Sequence, residues 1–170
     1  MAASFSHSYS SPLGEITLLS DGENITALYF SDMHREDITR AKPQSLPVFE
    51  QAREWLNIYF SGKKPGFTPP LKIEGSEFHR SICGTILAIP FVHVMTYSEI
   101  AKVNAERRKI PGMSPQAVGR VAANNKILIM IPCHRVIGSN GNLTGYSGGL
   151  PRKLKLLELE GVDIFQLSKH

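Results

Sequence analysis

The alternation of apolar and polar positions in "GEITLLSDGENITALYF" predicts two strands joined at Asp21-Gly22, a pair that favours a tight hairpin. In "LPVFEQAREWLNIYFSGKKP" the period lengthens. Val48, Phe49, Ala52, Trp55, Leu56 and Tyr59 recur at helical spacing, and Gly62 and Pro65 end the run. The next segment, "GKKPGFTPPLKIEGS", is rich in Pro, Gly and Lys, as a linker is. A domain boundary is expected there, with an α/β support domain over 1–72 and a second domain over 73–170.

Helical patterning dominates the second half. Ser76 is placed to cap a helix whose apolar face holds Phe78, Ile82, Ile86 and Leu87. Cys83 lies close to that face and reads as a small buried hydrophobe. "TYSE" forms a capping box, Thr96 at the cap and Glu99 three residues on, and opens a short helix reaching about Glu106. After the basic turn "RRKIPGM", Ser114-Pro115 opens a further helix, "QAVGRVAANN". Helix, turn, helix is the result, with a connection longer than the usual three or four residues.

Gly119 inside that second helix costs about 1 kcal/mol relative to alanine. Close approach of another backbone would offset it, whether a nucleic-acid groove or a packed neighbouring helix. Pro151 starts a last helix, "RKLKLLELEG", that Gly161 ends. Its charges oppose the helix dipole: Arg152, Lys153 and Lys155 crowd the positive end, and Glu158 and Glu160 the negative one. Such placement suggests phosphates at one end and a buried hydrogen-bond partner at the other.

Charge sharpens the division between the halves. Residues 1–72 carry 7 Lys/Arg against 8 Asp/Glu, and residues 73–170 carry 12 against 7. A basic C-terminal half suits a polyanion, although a solvated basic face gives the same count. No stretch of about 18 apolar residues suggests a membrane span, and "MAASFSHSYSSPLGE" has no readable targeting pattern. Cys83 and Cys133 are too few for a disulfide framework and fit a reducing compartment. His7, His34, His79, His93, His134 and His170 show no metal-ligand spacing, so zinc is not expected.

Chemistry gathers at "IPCHRV", residues 131–136, between the apolar run Ile127–Met130 and the Gly-rich "GSNGNLTGYSGG". A nucleophilic cysteine needs a nearby base or positive field. His134 adjoins Cys133, but neighbours on a strand face opposite ways, so the pair works only if the backbone turns here. Pro132 and the following glycines favour a turn. A histidine base is usually steadied by a carboxylate or carbonyl, and Glu160 is a candidate. From the residues alone, Cys133 is either a packing residue or a reactive thiol.

"IPCHRVIGSNGNLTGYSGG" resembles the active-site signature of the O6-alkylguanine-DNA alkyltransferases (methylated-DNA–protein-cysteine methyltransferases), with the Pro-Cys-His-Arg-Val core intact. "SPLGEITLLSDGENITALYF" and "YFSGKKPGF" are similar to that family's N-terminal domain. "FHRSICGTILAIP", "TYSEIA", "AVG", "AANN" and "LLELEG" are similar to successive landmarks of its C-terminal one. The resemblance implies a ribonuclease-H-like α/β domain followed by a mainly α domain with a helix-turn-helix of winged-helix type. It implies an irreversible, single-use transfer of an alkyl group from O6 of guanine, or O4 of thymine, in double-stranded DNA to Cys133, without a cofactor.

The same resemblance makes His134 the base, probing the thiol through a water, Glu160 its orienting partner and Asn125 a hinge before the active-site strand. Tyr97, Val136, Tyr146 and Ser147 would contact the flipped base. Thr96, Ser98, Gln116, Ala117, Gly119, Arg120 and Ser139 would meet the DNA from the minor groove. A monomer in the cytoplasm, or the nucleus of a eukaryote, is the implied setting.

The chain departs from the pattern at Gln116, where the family usually carries an arginine that replaces the flipped base in the stack. Glutamine keeps hydrogen bonding and loses the charge; restoring arginine there is expected to tighten duplex binding or speed repair. Arg107, Arg108 and Lys109, in a long turn, are expected to contact phosphates with Arg120. Lys126 also stands where a proline is common after the hinge Asn. Rival readings are a lesion-binding protein without transfer, a regulator signalling through alkylation, and a cysteine hydrolase, which alone of these would turn over.

Overall fold

Serine alternating with aromatic residues in "FSHSYSS" builds a strand that the hydrophobic pattern conceals: β1 (Phe5–Ser11). The computed structural model describes residues 4–33, 35–143 and 145–167, so the sequence expectations on residues 1–3, His34 and His170 lie outside it. Two compact units emerge. One runs to Glu74 and includes Lys126–Leu128; the other comprises Gly75–Asn125 and the chain from Ile129 onward.

In the first unit β1 pairs antiparallel with β2 (Gly14–Ser20), which pairs antiparallel with β3 (Ile25–Phe30). The β2–β3 turn forms as expected. Asp21 Oδ1 accepts the Glu23 and Asn24 amides at 2.9 and 2.8 Å, and Gly22 takes φ +109°. After the short helix α1 (Glu36–Arg40), β4 (Lys42–Pro43) joins the opposite edge of β1 in parallel, giving the order β3-β2-β1-β4.

Helix α2 (Pro47–Phe60) buries the six apolar residues its spacing marked, each contributing about 1.5–3 kcal/mol for a large side chain fully removed from water. β1 packs on α2 through its aromatic positions: His7 stacks on Phe49 at 5.5 Å, and Tyr9 donates to Asn57 Oδ1 at 2.7 Å. The Pro-rich segment does more than connect. Ile25 N–H donates to Pro70 O at 2.7 Å, and Leu28 N–H to Lys126 O at 2.8 Å. Two passing segments thus cover the free edge of β3, which would otherwise expose unpaired backbone groups.

The second unit opens with α3 (Glu77–Leu87), capped by Ser76 Oγ accepting from His79 N–H at 3.1 Å. α4 (Tyr97–Arg108) carries the complete Thr96–Glu99 capping box and ends at Lys109 in the left-handed region. α5 (Pro115–Ala123) starts from the Ser114 cap with proline in its first turn. Inside the α3–α4 contact, Asn104 donates to Ser81 Oγ at 2.9 Å and Thr85 Oγ1 at 3.0 Å. β5 (Met95–Thr96) and β6 (Val136–Ile137) form a two-stranded parallel pair. α6 (Leu150–Glu160) ends at Gly161, φ +92°, and α7 (Ile164–Leu167) follows. No described helix is long and apolar enough to cross a membrane.

The expected strand before Cys133 does not form. Ile127 makes a single bridge to Leu28, Ile129 takes φ +69°, and the chain folds into a 3-10 turn, Cys133–Arg135. Asn125 is the cause on the page. Its Nδ2 donates to Ile131 O at 3.0 Å, drawing the segment into a loop around one side chain instead of a ladder.

Candidate active site

The 3-10 turn answers the facing problem posed by Cys133 and His134. Its backbone closes through Arg135 N–H donating to Pro132 O at 2.9 Å, and all three turn residues are buried. Cys133 reaches a cavity of about 390 Å³. Tyr97 from α4, Gly119, Ala122 and Ala123 from α5, and Gly145, Tyr146 and Ser147 from the following loop complete its lining. That volume suits a flat aromatic guest, within the usual 300–1,000 Å³ of small-molecule sites.

Behind the thiol lies the machinery. Asn125 Nδ2 donates to Cys133 Sγ at 3.2 Å. Burial pushes the thiol up to about 11, while the Asn125 donor and the Lys153 charge pull the other way. His134 Nε2–H donates to Glu160 Oε2 at 2.6 Å, with both side chains wholly enclosed. Glu160 Oε1 accepts from Arg135 Nε at 2.8 Å and from Val92 N–H at 3.3 Å. Burial raises the Glu160 carboxyl, but His134 and Arg135 outweigh it and hold the group at about 2. An ionised carboxylate only accepts, which fixes the imidazole proton on Nε2 and leaves Nδ1 as the proton-accepting nitrogen. Burial lowers the His134 pKa against the pull of Glu160, so the ring starts neutral.

Chemically, this is a buried thiol with a hydrogen-bond donor on its sulfur, and a neutral imidazole backed by a carboxylate two residues of the chain apart from any solvent-exposed base. The Tyr146 ring stands edge-on to His134, with centroids 6.4 Å apart, and its hydroxyl is enclosed without a partner among the described residues. Among those residues no three His, Cys, Asp or Glu side chains converge as a metal site would require.

The sequence-marked residues separate into three groups. Tyr97, Gly119, Cys133, Tyr146 and Ser147 line the cavity, and Asn125, His134 and Glu160 stand behind Cys133. Thr96 caps α4, while Ser98, Gln116, Arg120 and Ser139 are surface-exposed. Two differ from expectation. Val136 is fully buried in β6 and is absent from the cavity lining, because its side chain belongs to the β5–β6 layer. Ala117 is turned inward at 8 % exposure, since α5 presents it to the helix packing.

Arg108 is likewise no free phosphate ligand. Its guanidinium lies over the Phe78 ring at 5.6 Å. Gly119 is not forced by a tight helix contact: an added Cβ would meet only the Tyr97 ring, at 3.9 Å. Its bareness keeps the cavity open. Sequence reasoning passed over Arg135, although the residue stood within the quoted motif. Lys153 was read as facing phosphates and instead points inward, 0 % exposed. Cys83 is the contrasting thiol, buried in α3 with Sγ 3.5 Å from His79 Nε2.

Comparison with known proteins agrees with this arrangement. Residues 77–162 match the family profile described as "6-O-methylguanine DNA methyltransferase, DNA binding domain", and residues 5–73 match its "ribonuclease-like domain". The methylated-DNA–protein-cysteine methyltransferase of Haemophilus influenzae is 36% identical over 165 residues, 95% of this chain and 89% of its own. That of Methanosarcina acetivorans is 38% identical, covering 90% and 96%. The crystal structure of Mycobacterium tuberculosis O6-methylguanine methyltransferase superposes with a TM-score of 0.80 at 36% identity, covering 92% of each chain. A structure of the M. tuberculosis protein in complex with DNA gives 0.80 at 35%, covering 96% of this chain and 98% of that one. On the evidence of both domains, the chain belongs to the 6-O-methylguanine DNA methyltransferase family.

Proposed function

We propose that the protein repairs alkylated DNA directly, moving an alkyl group, chiefly methyl, from O6 of guanine, and from O4 of thymine, onto Cys133 Sγ. The observation that carries this reading is the position of Cys133. It is the thiol on the wall of a base-sized cavity, with Asn125 on its sulfur and the His134–Glu160 pair behind it.

A cavity enclosed in this way cannot meet a base inside the duplex stack, so the alkylated nucleotide flips out through the minor groove. The thiol is neutral at rest, and its proton passes to His134 Nδ1 through a water as Glu160 steadies the forming imidazolium. The sulfur electron pair forms the S–C bond while the C–O6 bond breaks, and the leaving guanine takes up one proton, assisted by the Tyr97 hydroxyl. Tyr146 and Ser147 close over the base, with Val136 supporting the pocket segment from behind. A thioether is a poor leaving group, so each molecule acts once, with no cofactor.

Thr96, Ser98, Gln116, Ala117, Gly119, Arg120 and Ser139 form the proposed DNA-facing set, with Gln116 as the wedge and Ala117 and Gly119 allowing close approach. The protein works as a monomer in the compartment that holds the DNA: the cytoplasm of a prokaryote or the nucleus of a eukaryote. A lesion-binding protein without transfer would have no use for a thiol at this position. The test is the time course of methyl loss from an O6-methylguanine duplex in excess. One equivalent lost per protein, then arrest, is expected; sustained turnover, or DNA binding without loss, contradicts the reading.

A further inference from the structure

Lys153 stands in the first turn of α6, where the helix dipole opposes a cation, and it is also fully buried. Both placements are unfavourable, and a surface position one turn away would avoid them. Its Nζ donates to Val136 O at 2.6 Å and to Gly145 O at 3.0 Å. Val136 directly follows the Cys133 turn, and Gly145 opens the loop carrying Tyr146 and Ser147 over the cavity. The lysine therefore ties the segment bearing the thiol to the loop that lies across from it. Both partners are neutral carbonyls, which satisfy the donors and leave the charge to be balanced by something else.

We propose that Lys153 is a positioning residue of this site, a buried cation that clasps the two walls of the cavity and serves as counter-charge to the Cys133 thiolate. The proposal rests on Cys133 being the nucleophile. The titratable groups around the thiol are Tyr97 on α4, Cys83 on α3, Tyr146 on the loop, His134 in the same turn, and Lys153 and Glu160 on α6. Burial keeps Cys83, Tyr97 and Tyr146 protonated and His134 neutral at pH 7.5. Arg135 is engaged with Glu160, and Arg152 acts on Tyr146 while donating to Gly148 O at 3.3 Å. Lys153 is the charge that favours the thiolate. Burial brings the lysine itself down to about 8, and the thiolate supports its proton in return.

The test is the pH dependence of Cys133 alkylation by iodoacetamide, read by peptide mass, in the full chain without DNA. Lys153→Gln keeps a donor for the carbonyls and removes the charge; Lys153→Arg keeps a charge at every pH used. The glutamine variant is expected to react about tenfold more slowly at pH 7.5, its curve moved up by about one pH unit. The arginine variant's curve should lie no higher than that of the wild type. A folded glutamine variant with the wild-type curve, or an arginine curve displaced upward, overturns the proposal. A residue that merely braces the fold would change melting temperature without ordering the curves in this way. Iodoacetamide needs no DNA, so failed transfer from O6-methylguanine beside an intact shift rejects the repair reading and leaves this one standing.

Discussion

The N-terminal unit closes on Leu18, Leu28, Phe30, Phe49 and Leu56, each wholly enclosed, and the polar side chains it buries are the hydroxyls of Thr17 and Ser20, among the described residues. The C-terminal unit encloses Asn104, Asn125, His134, Arg135, Lys153 and Glu160. Desolvating an ion costs several kcal/mol even after relaxation. The second unit bears that cost repeatedly, and four of the six buried groups gather around Cys133 or the carboxylate behind His134. A core that serves only folding is apolar; one that also sets the state of a thiol is not.

The largest expected effect tests that contrast at the buried carboxylate. Glu160→Gln leaves Arg135 enclosed without its counter-charge, and should lower unfolding free energy in urea by about 3–5 kcal/mol and slow transfer at least about tenfold. Leu28→Ala, in β3 of the other unit, should cost a comparable about 2–5 kcal/mol by leaving a cavity. Its folded fraction should transfer at the wild-type rate, measured in single turnover. If Leu28→Ala slowed transfer as Glu160→Gln does, the division of labour would fail.

Acid should act through the second unit. Burial keeps His134 below its ordinary range, so the unfolded chain binds more protons there and stability declines as pH drops below about 6.5. Glu160 is raised by burial but held at about 2 by His134 and Arg135; its contribution is complete above about pH 4.3 and is lost as pH falls toward 2. Urea midpoints taken from pH 7 to pH 3 should fall in both limbs, and Glu160→Gln should remove the lower one. A flat profile would count against both groups.

The smallest effect concerns a strained hinge. Val92 is β-branched, 45% exposed, and sits at φ +73° while its N–H reaches Glu160. Left-handed backbone costs a non-glycine residue about 1–2 kcal/mol, so Val92→Gly should raise stability by about 1 kcal/mol, less the entropy glycine adds to the unfolded chain. A lower melting temperature would show that the valine side chain is held by packing instead.

The same contrast explains what was legible in the chain. α2 and the Ser76, Thr96 and Ser114 caps were readable because their causes lie within a few residues. β1 and β4 were not: serines dilute the alternation of Phe5, His7 and Tyr9, and a two-residue strand exists only through its partner. Cys133, His134 and Glu160 could be picked out because their types and neighbours are distinctive. Lys153 was noticed as a misplaced charge, yet the inward direction depends on Val136 and Gly145, which no local pattern relates to it. The missing strand before Cys133 has the same origin, since a single Asn125 side chain outcompetes a run of β-formers. Val92 gave no signal, because its strain exists only in the folded backbone.

The most direct measurement is peptide mapping of the intact protein after incubation with excess O6-methylguanine duplex. One methyl on the peptide carrying Cys133, none on the one carrying Cys83, and no further loss from the DNA is the predicted result. A methyl on Cys83, continued turnover, or an unmodified chain bound to DNA would contradict it.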